Sequence, residues 1–289
     1  MRMRLKRPFL YLCICFVMIM GFCSVEASAA TKPYTYYGSH LSGYKKQIYK
    51  KLKKTWAQGD GKIISVESRG FSLEYAGMWV LNDYPEYFWC NTYSSGYGFG
   101  YSYFRLASWK NAIKQKAAFN KRVKAVVKSL KKKCKGKSTA EKAVILHDWV
   151  CSNCRYVQTS YDQSAYGVFV KKKAVCAGFA RAYKLLCDKF GIKCICVNVL
   201  LNNVPHLTNY VKIGGSWYMV DCTNDQGYAG KPLRYYCLIG SNSVGTYLYS
   251  SCGVELPELS VSDYPLPDRP ITMTAEAKSY SAQNIFRAS

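Results

Sequence analysis

The sequence predicts an α+β fold, and three observations carry that prediction. Apolar residues recur at helical spacing in several stretches between Tyr44 and Phe190. From Cys194 onward the chain turns β-rich. Two strands there, His206 to Ile213 and Ser216 to Cys222, are joined by Gly214-Gly215, a two-residue hairpin signal that makes their pairing antiparallel. With 289 residues, 49% apolar and 20% charged, there is material for a sizeable core, and wholesale disorder is excluded. Lys and Arg number 41 against 17 acidic residues, for a net charge of +24, which biases the surface toward polyanions without saying which.

The first 29 residues read as a secretory signal peptide. Arg2, Arg4, Lys6 and Arg7 make a basic start, Phe9 to Phe22 is an apolar run, and Ala27-Ser28-Ala29 is a small-x-small cleavage site. A bilayer span takes about 20 apolar residues, more than this run or any later one supplies, so no transmembrane span is expected after cleavage. The mature protein is expected outside the cell, where its charge would suit an anionic wall polymer.

After a Tyr-rich lead from Thr31 to Gly43, the positions Ile48, Leu52 and Trp56 with lysines between them predict a basic amphipathic helix over 44–56. Gly59-Asp60-Gly61 is a turn, Ile63 to Val66 a strand, and Phe71 to Leu81 a helix stopped by Asp83-Tyr84-Pro85. Tyr87 to Phe104 alternates and predicts two strands with a turn at Gly96. A helix from Trp109 to Lys133 ends in Lys131-Lys132-Lys133, where cations meet the negative helix end. Ser138-Thr139-Ala140-Glu141 is a capping box that opens the next helix. Phe179, Tyr183, Leu186 and Phe190 share one helical face, with Gly191 as the C-terminal stop. Tyr235 to Ile239 adds a strand, and 255–289, with Pro257, Pro265, Pro267 and Pro270, reads as an extended, weakly ordered tail.

Fourteen cysteines, less Cys13, Cys15 and Cys23 of the leader, leave eleven. Outside the cell that number predicts several disulfides, and being odd it leaves at least one thiol over. Cys176 has an evident reason to be that thiol. It stands where a loop enters a helix, so backbone N–H groups, the positive helix end and Lys171-Lys172-Lys173 all favour a thiolate. If Ile213 faces Ser216 across the Gly-Gly turn, Thr208 falls opposite Asp221. His206, two residues along the same face, is then the diagonal neighbour of Asp221, within reach of an imidazole–carboxylate hydrogen bond. Docking the Cys176 helix on that sheet would join a nucleophile, a general base and an orienting acid. The Cys176 N–H is a natural oxyanion donor, with Tyr166 as a candidate second. Of the other histidines, His147 lies mid-helix beside Asp148 and reads as a core hydrogen-bonding residue, and His40 falls in the lead.

Glu141 to Val150, Ala165 to Phe169, Ala174 to Ala180, His206 with Asn209, and Gly215 to Asp221 together resemble the transglutaminase-like superfamily of papain-type cysteine enzymes. The resemblance covers about residues 138–240. Asp83 to Trp89 also looks like the lead region of secreted bacterial members. What the resemblance implies is a papain-like core with Cys176 at a helix N-terminus packed on an antiparallel sheet, and Cys176, His206 and Asp221 as a triad. Tyr166 and Asn209 become candidate oxyanion or substrate contacts. The implied organisation is signal peptide 1–29, N-terminal α/β region 30–136, catalytic core 137–254 and tail 255–289. The chain departs from the family at Leu207-Thr208, where an aromatic is common after the histidine, and at Cys222-Thr223-Asn224-Asp225, where a Thr-Trp-Asp run is common.

Other readings are weaker. Cys151-x-x-Cys154 lacks a second CxxC of matching spacing and Cys194-x-Cys196 lies on a strand, so ordinary disulfides are expected, with no metal and no cofactor. Phosphate loops and recognisable nucleic-acid motifs are absent from the sequence. Two classes of function stand. One is a secreted enzyme acting on amide or peptide carbonyls of proteins or peptides through a thioester, with hydrolysis and acyl transfer both open; the other is a catalytically weak or inactive surface or wall-binding module of the same fold.

Overall fold

The computed structural model describes residues 31–59, 63–67, 75–92, 94–98, 100–105, 109–227, 231–245, 247–250 and 252–269. The expected signal peptide, the turn residues 60–61, the start of the helix expected from Phe71 and the tail beyond 269 lie outside them.

Helix α1 (Tyr36–His40) falls in the lead that reads as irregular from sequence. Its N-cap Thr35 makes no side-chain cap. Asp83 supplies the cap instead, accepting from Tyr37 N at 3.2 Å and Gly38 N at 2.7 Å, two of the orphan N–H groups of the first turn. A cap held 46 residues away leaves no local signature. Helix α2 (Gly43–Gln58) buries Ile48, Leu52 and Trp56 as their spacing predicts, together with Tyr49, whose hydroxyl also donates to Asp83 at 2.7 Å. Helix α3 (Ala76–Asp83) follows strand β1 (Ile64–Glu67), and Asp83 is its last residue.

A short 3₁₀ turn over Phe88–Thr92 replaces the start of the first expected strand. Strands β2 (Ser94–Gly98) and β3 (Tyr101–Arg105) then pair antiparallel, with β1 on the other side of β3. Gly96 pairs with Tyr103 inside the ladder, and the chain reverses beyond Gly98, which pairs with Tyr101. The expected turn at Gly96 is therefore wrong. An alternating Ser-Gly pattern marks permissive positions, and pairing across the ladder decides which of them bends.

Helix α4 (Trp109–Lys133) ends on its lysine run, and α5 (Thr139–Asn153) opens on the capping box, with Glu141 N donating to Ser138 Oγ at 3.2 Å and Ser138 N to Glu141 Oε2 at 2.8 Å. Strands β4 (Arg155–Tyr156) and β5 (Lys173–Ala174) form a two-residue parallel pair leading into helix α6 (Cys176–Lys189). Beyond it lie β6 (Cys194–Leu201), β7 (Val204–Ile213), β8 (Ser216–Val220), β9 (Cys237–Ile239) and β10 (Tyr247–Ser250), an antiparallel sheet in the order β10-β6-β7-β8-β9. Ile213 pairs with Ser216 and Asn209 with Val220, the register expected from Gly214-Gly215, whose φ values of 57° and 98° suit the tight turn.

Buried side chains of α1, α2 and α3 share one apolar cluster with those of α4, α5, α6 and the five-stranded sheet. The tail is ordered as far as Arg269, contrary to expectation. Ser260 N donates to Trp217 O at 2.8 Å, Tyr264 N to Leu238 O at 3.0 Å, and the Arg269 guanidinium to Cys237 O at 2.7 Å. Prolines remove donors without preventing the rest of an extended segment from satisfying backbone groups at the sheet's edge. All eleven cysteines from Cys90 to Cys252 are free thiols, so the disulfides expected from the count are not formed in this structure. Ten of them are buried, where a thiol packs as a small hydrophobe. Among the described residues no helix is long and apolar enough to cross a membrane.

Burial, partly offset by the Gly38 N–H and the Tyr49 hydroxyl, raises the Asp83 carboxyl to about 6. A folded-state value above the unfolded one means that protonation favours the fold, so this contribution to stability is present at pH 4 and is lost as pH rises toward 6. Comparing urea unfolding of wild type with Asp83→Asn should show the wild type losing about 3 kcal/mol relative to the variant between pH 4 and pH 7. A constant difference across that range would show that Asp83 keeps its ordinary titration.

Candidate active site

The site begins with how α6 is aimed. Val175, its N-cap, donates its N–H to Asp162 O at 3.0 Å, and β5 fixes the residues just before it. The first turn then presses on the 162–164 loop so closely that a side chain at Gly178 would collide with Asp162 O and stand 2.7 Å from Ala174 Cβ. This gives the Cys176-Ala177-Gly178 pattern a steric reason. Ala177 and Ala180 pack on Cys196 and Leu207, seating the helix start on β6 and β7. Cys176 is left half-buried at the mouth of this junction.

His206 Nε2 lies 2.7 Å from Asp221 Oδ2, as the hairpin register predicts. The Cys176 thiol is hydrogen-bonded to His206. With Nε2 committed to Asp221, Nδ1 is the ring nitrogen left to face sulfur. Burial alone would push the Cys176 thiol up; the hydrogen bond and charge of His206, followed by the Leu207 N–H, outweigh it and hold the thiol below its ordinary value. Burial likewise pulls His206 down, but the charge and hydrogen bond of Asp221, then those of Cys176, lift the imidazole to about 10. For Asp221 the burial penalty is overcome by the charge and hydrogen bond of His206, then by the Tyr247 hydroxyl, and the carboxyl sits below its usual range. The three groups thus favour one another's charged forms, thiolate beside imidazolium beside carboxylate.

The other expected site residues are placed elsewhere. Tyr166 stacks on Phe88 at 4.6 Å between ring centroids and lies against Tyr161 and Phe119, inside an aromatic cluster. Asn209 is buried, and its Nδ2 donates to Ala180 O at 3.1 Å, tying α6 to the sheet. Of the lysine run, Lys172 sets its ammonium 5.2 Å over the Trp149 ring.

Three residues that sequence reading missed complete the surroundings. Asn224 Nδ2 and the Tyr247 hydroxyl both donate to Asp221 Oδ2, at 2.9 and 2.8 Å. The Tyr156 hydroxyl accepts the Cys176 backbone N–H, the group expected to face an oxyanion. Asn224 could have been suspected from its place three residues after Asp221; Tyr156 and Tyr247 carry no local signal. Behind the Asp221 loop, His147, Cys151 and Cys222 come together, and each offers an atom that could hold a metal ion.

An α6 start bearing cysteine, packed on an antiparallel sheet bearing histidine and aspartate, defines the class of papain-like α+β cores. Residues 124–222 match the family described as the transglutaminase-like superfamily. The sequence matches no curated protein. A solved structure provisionally named a cysteine protease, from Cytophaga hutchinsonii, is similar at 19% identity over 44% of this chain and 40% of its own, with a TM-score of 0.32. A structure described as a TGase is similar at 17% identity over 45% and 43%, with a TM-score of 0.33. The chain thus spans less than half the length of each.

Alkylation with iodoacetamide at pH 6 should modify Cys176 well ahead of the buried thiols, because it is the half-buried one among the described cysteines and His206 holds it below its ordinary value. The rate should hold until His206 loses its proton near pH 10. In His206→Gln the selectivity at pH 6 should vanish; retained fast labelling would show that His206 does not set the thiol's ionisation. Tyr247→Phe, which removes one of the donors to Asp221, should lower the Cys176 alkylation rate at pH 6 by about threefold to tenfold without unfolding, for roughly 1 kcal/mol of lost hydrogen bonding.

Proposed function

We propose that this protein is a cysteine-dependent enzyme acting on amide or peptide carbonyls of proteins or peptides. The observation that carries the reading is the hydrogen-bonded chain from Cys176 through His206 to Asp221, with the thiol lowered and the imidazole raised. The Cys176 thiolate attacks the carbonyl carbon, and the negative charge that develops on oxygen is met by the Cys176 N–H as it exchanges the Tyr156 hydroxyl for the substrate. The His206 imidazolium gives its proton to the departing amine, leaving a thioester on Cys176. Neutral His206 then takes a proton from the incoming nucleophile, which attacks the thioester carbonyl and frees the thiol. Water as that nucleophile gives hydrolysis, and a primary amine gives acyl transfer. Asp221 holds the ring in the orientation that serves both steps. The same proposal places the enzyme outside the cell, on the pattern of residues 1–29.

A dansylated peptide assayed with and without a primary amine follows both outcomes. Cys176→Ala and His206→Ala should each abolish turnover, and the double variant should be no worse than either, because the two act as one unit. Asp221→Asn should fold and lose roughly 10²–10⁴-fold in rate. Full activity in His206→Ala would sink the assignment. Reactive Cys176 without any turnover across peptide libraries would favour a non-catalytic binding module of the same fold.

A further inference from the structure

The structure assigns a second chemical centre, independent of the catalytic reading: we propose that His147, Cys151, Cys222 and Asp225 form a buried tetrahedral zinc site. His147 and Cys151 lie one turn apart on α5, so both face the same way. Cys222 and Asp225 come from the loop that follows β8. Ligand atoms of His147, Cys151 and Cys222 lie within 4.8 Å of one another, and all three residues are buried. His147 Nε2 stands 3.5 Å from Cys151 Sγ and 3.0 Å from Asp225 Oδ2. Zinc bonds of about 2.0–2.3 Å in a tetrahedron leave ligand atoms roughly 3.3–3.8 Å apart, so the spacing of His147, Cys151 and Cys222 needs adjustments of about an ångström or less.

A second feature points the same way. His147 turns its other nitrogen, Nδ1, to Asp148 Oδ1 at 3.0 Å, and Arg234 braces that carboxylate through both of its oxygens. A carboxylate on the far nitrogen of a ligating histidine fixes which nitrogen is free to bind metal. Charge selects the fourth ligand. Cys237 also hydrogen-bonds His147. A zinc with two thiolates, one imidazole and the Asp225 carboxylate carries one net negative charge, whereas using Cys237 as a third thiolate would leave Asp225 as an additional buried anion. Binding needs Cys151 and Cys222 as thiolates and Nε2 without a proton, any protons they carry passing to solvent, while Nδ1 keeps its proton directed at Asp148. Cys222 directly follows Asp221, so the ion would pin the loop that carries the carboxylate of the candidate active site.

Elemental analysis of full-length protein purified without chelator should find one zinc per chain. Replacing it with Co²⁺ should give a thiolate-to-cobalt band in the near ultraviolet and the visible absorption of a tetrahedral ion, with X-ray absorption counting two sulfur ligands. Cys151→Ser and Cys222→Ser should each lose the near-ultraviolet band or weaken it by half. Cys237→Ser and Cys176→Ala should keep it unchanged, the latter separating this centre from catalysis. If the serine variants do not fold, the wild-type cobalt spectrum and sulfur count decide alone. Folded protein that takes up neither zinc nor cobalt, or a Cys151–Cys222 disulfide recovered by peptide mapping without reduction, would overturn the site.

Discussion

A fully buried carboxylate stays charged only when donors replace the water it has lost. Asp221 meets that condition with five: His206 Nε2 at 2.7 Å, Thr223 N at 2.9 Å, Asn224 N at 3.2 Å, Asn224 Nδ2 at 2.9 Å and the Tyr247 hydroxyl at 2.8 Å. These come from β7, from the loop after β8 and from the edge strand β10, so one anion gathers three separate parts of the sheet. Without it the His206 imidazole would have only Cys176 to set against the burial penalty, which favours the neutral ring, and the neighbouring thiol would lose much of the charge that holds it down. The ionisation of the whole site is inherited from how well Asp221 is solvated by protein.

What could be read from the sequence was whatever leaves a local pattern. The Gly214-Gly215 pair sets the β7–β8 register, and parity then carries His206 to Asp221 with no tertiary information. Ser138 and Glu141 announce α5, and the position of Cys176 at a helix start follows from the apolar face behind it. Unreadable were the features whose two halves lie far apart in the chain. Tyr247 reaches Asp221 across 26 residues, and α1 takes its cap from a carboxylate 46 residues on. Tyr166, a candidate from its place beside the motif, has its ring stacked on Phe88 and lying against Tyr161. Proximity along the chain is a poor guide where aromatic packing can claim the side chain first.

The cysteines show how composition misleads when burial is not considered. Their number suggests cross-links, yet ten of the eleven in the described residues are buried, from the 3₁₀ turn that holds Cys90 through α5, α6, β6 and β9 to Cys252 beyond β10. A buried thiol raised by desolvation is a poor nucleophile, as at Cys90 and Cys196. Cys176 differs from both, being half-buried and held below its ordinary value by His206.

Residues in the first part of the described chain are tied to segments far along it. Tyr34 N donates to Asp188 Oδ1 at 3.0 Å, the Tyr36 hydroxyl to Glu255 O at 2.6 Å, and Trp79 Nε1 to Cys252 O at 2.8 Å, across 154, 219 and 173 residues. Contacts of such sequence separation must pay loop-closure entropy before they return any energy, which slows folding and defers it until distant segments are available. A ribosome would therefore have released most of this polypeptide before its leading helices could be sealed. That delay leaves the apolar faces of α2 and α3 uncovered in the meantime, when a holdase chaperone would find them.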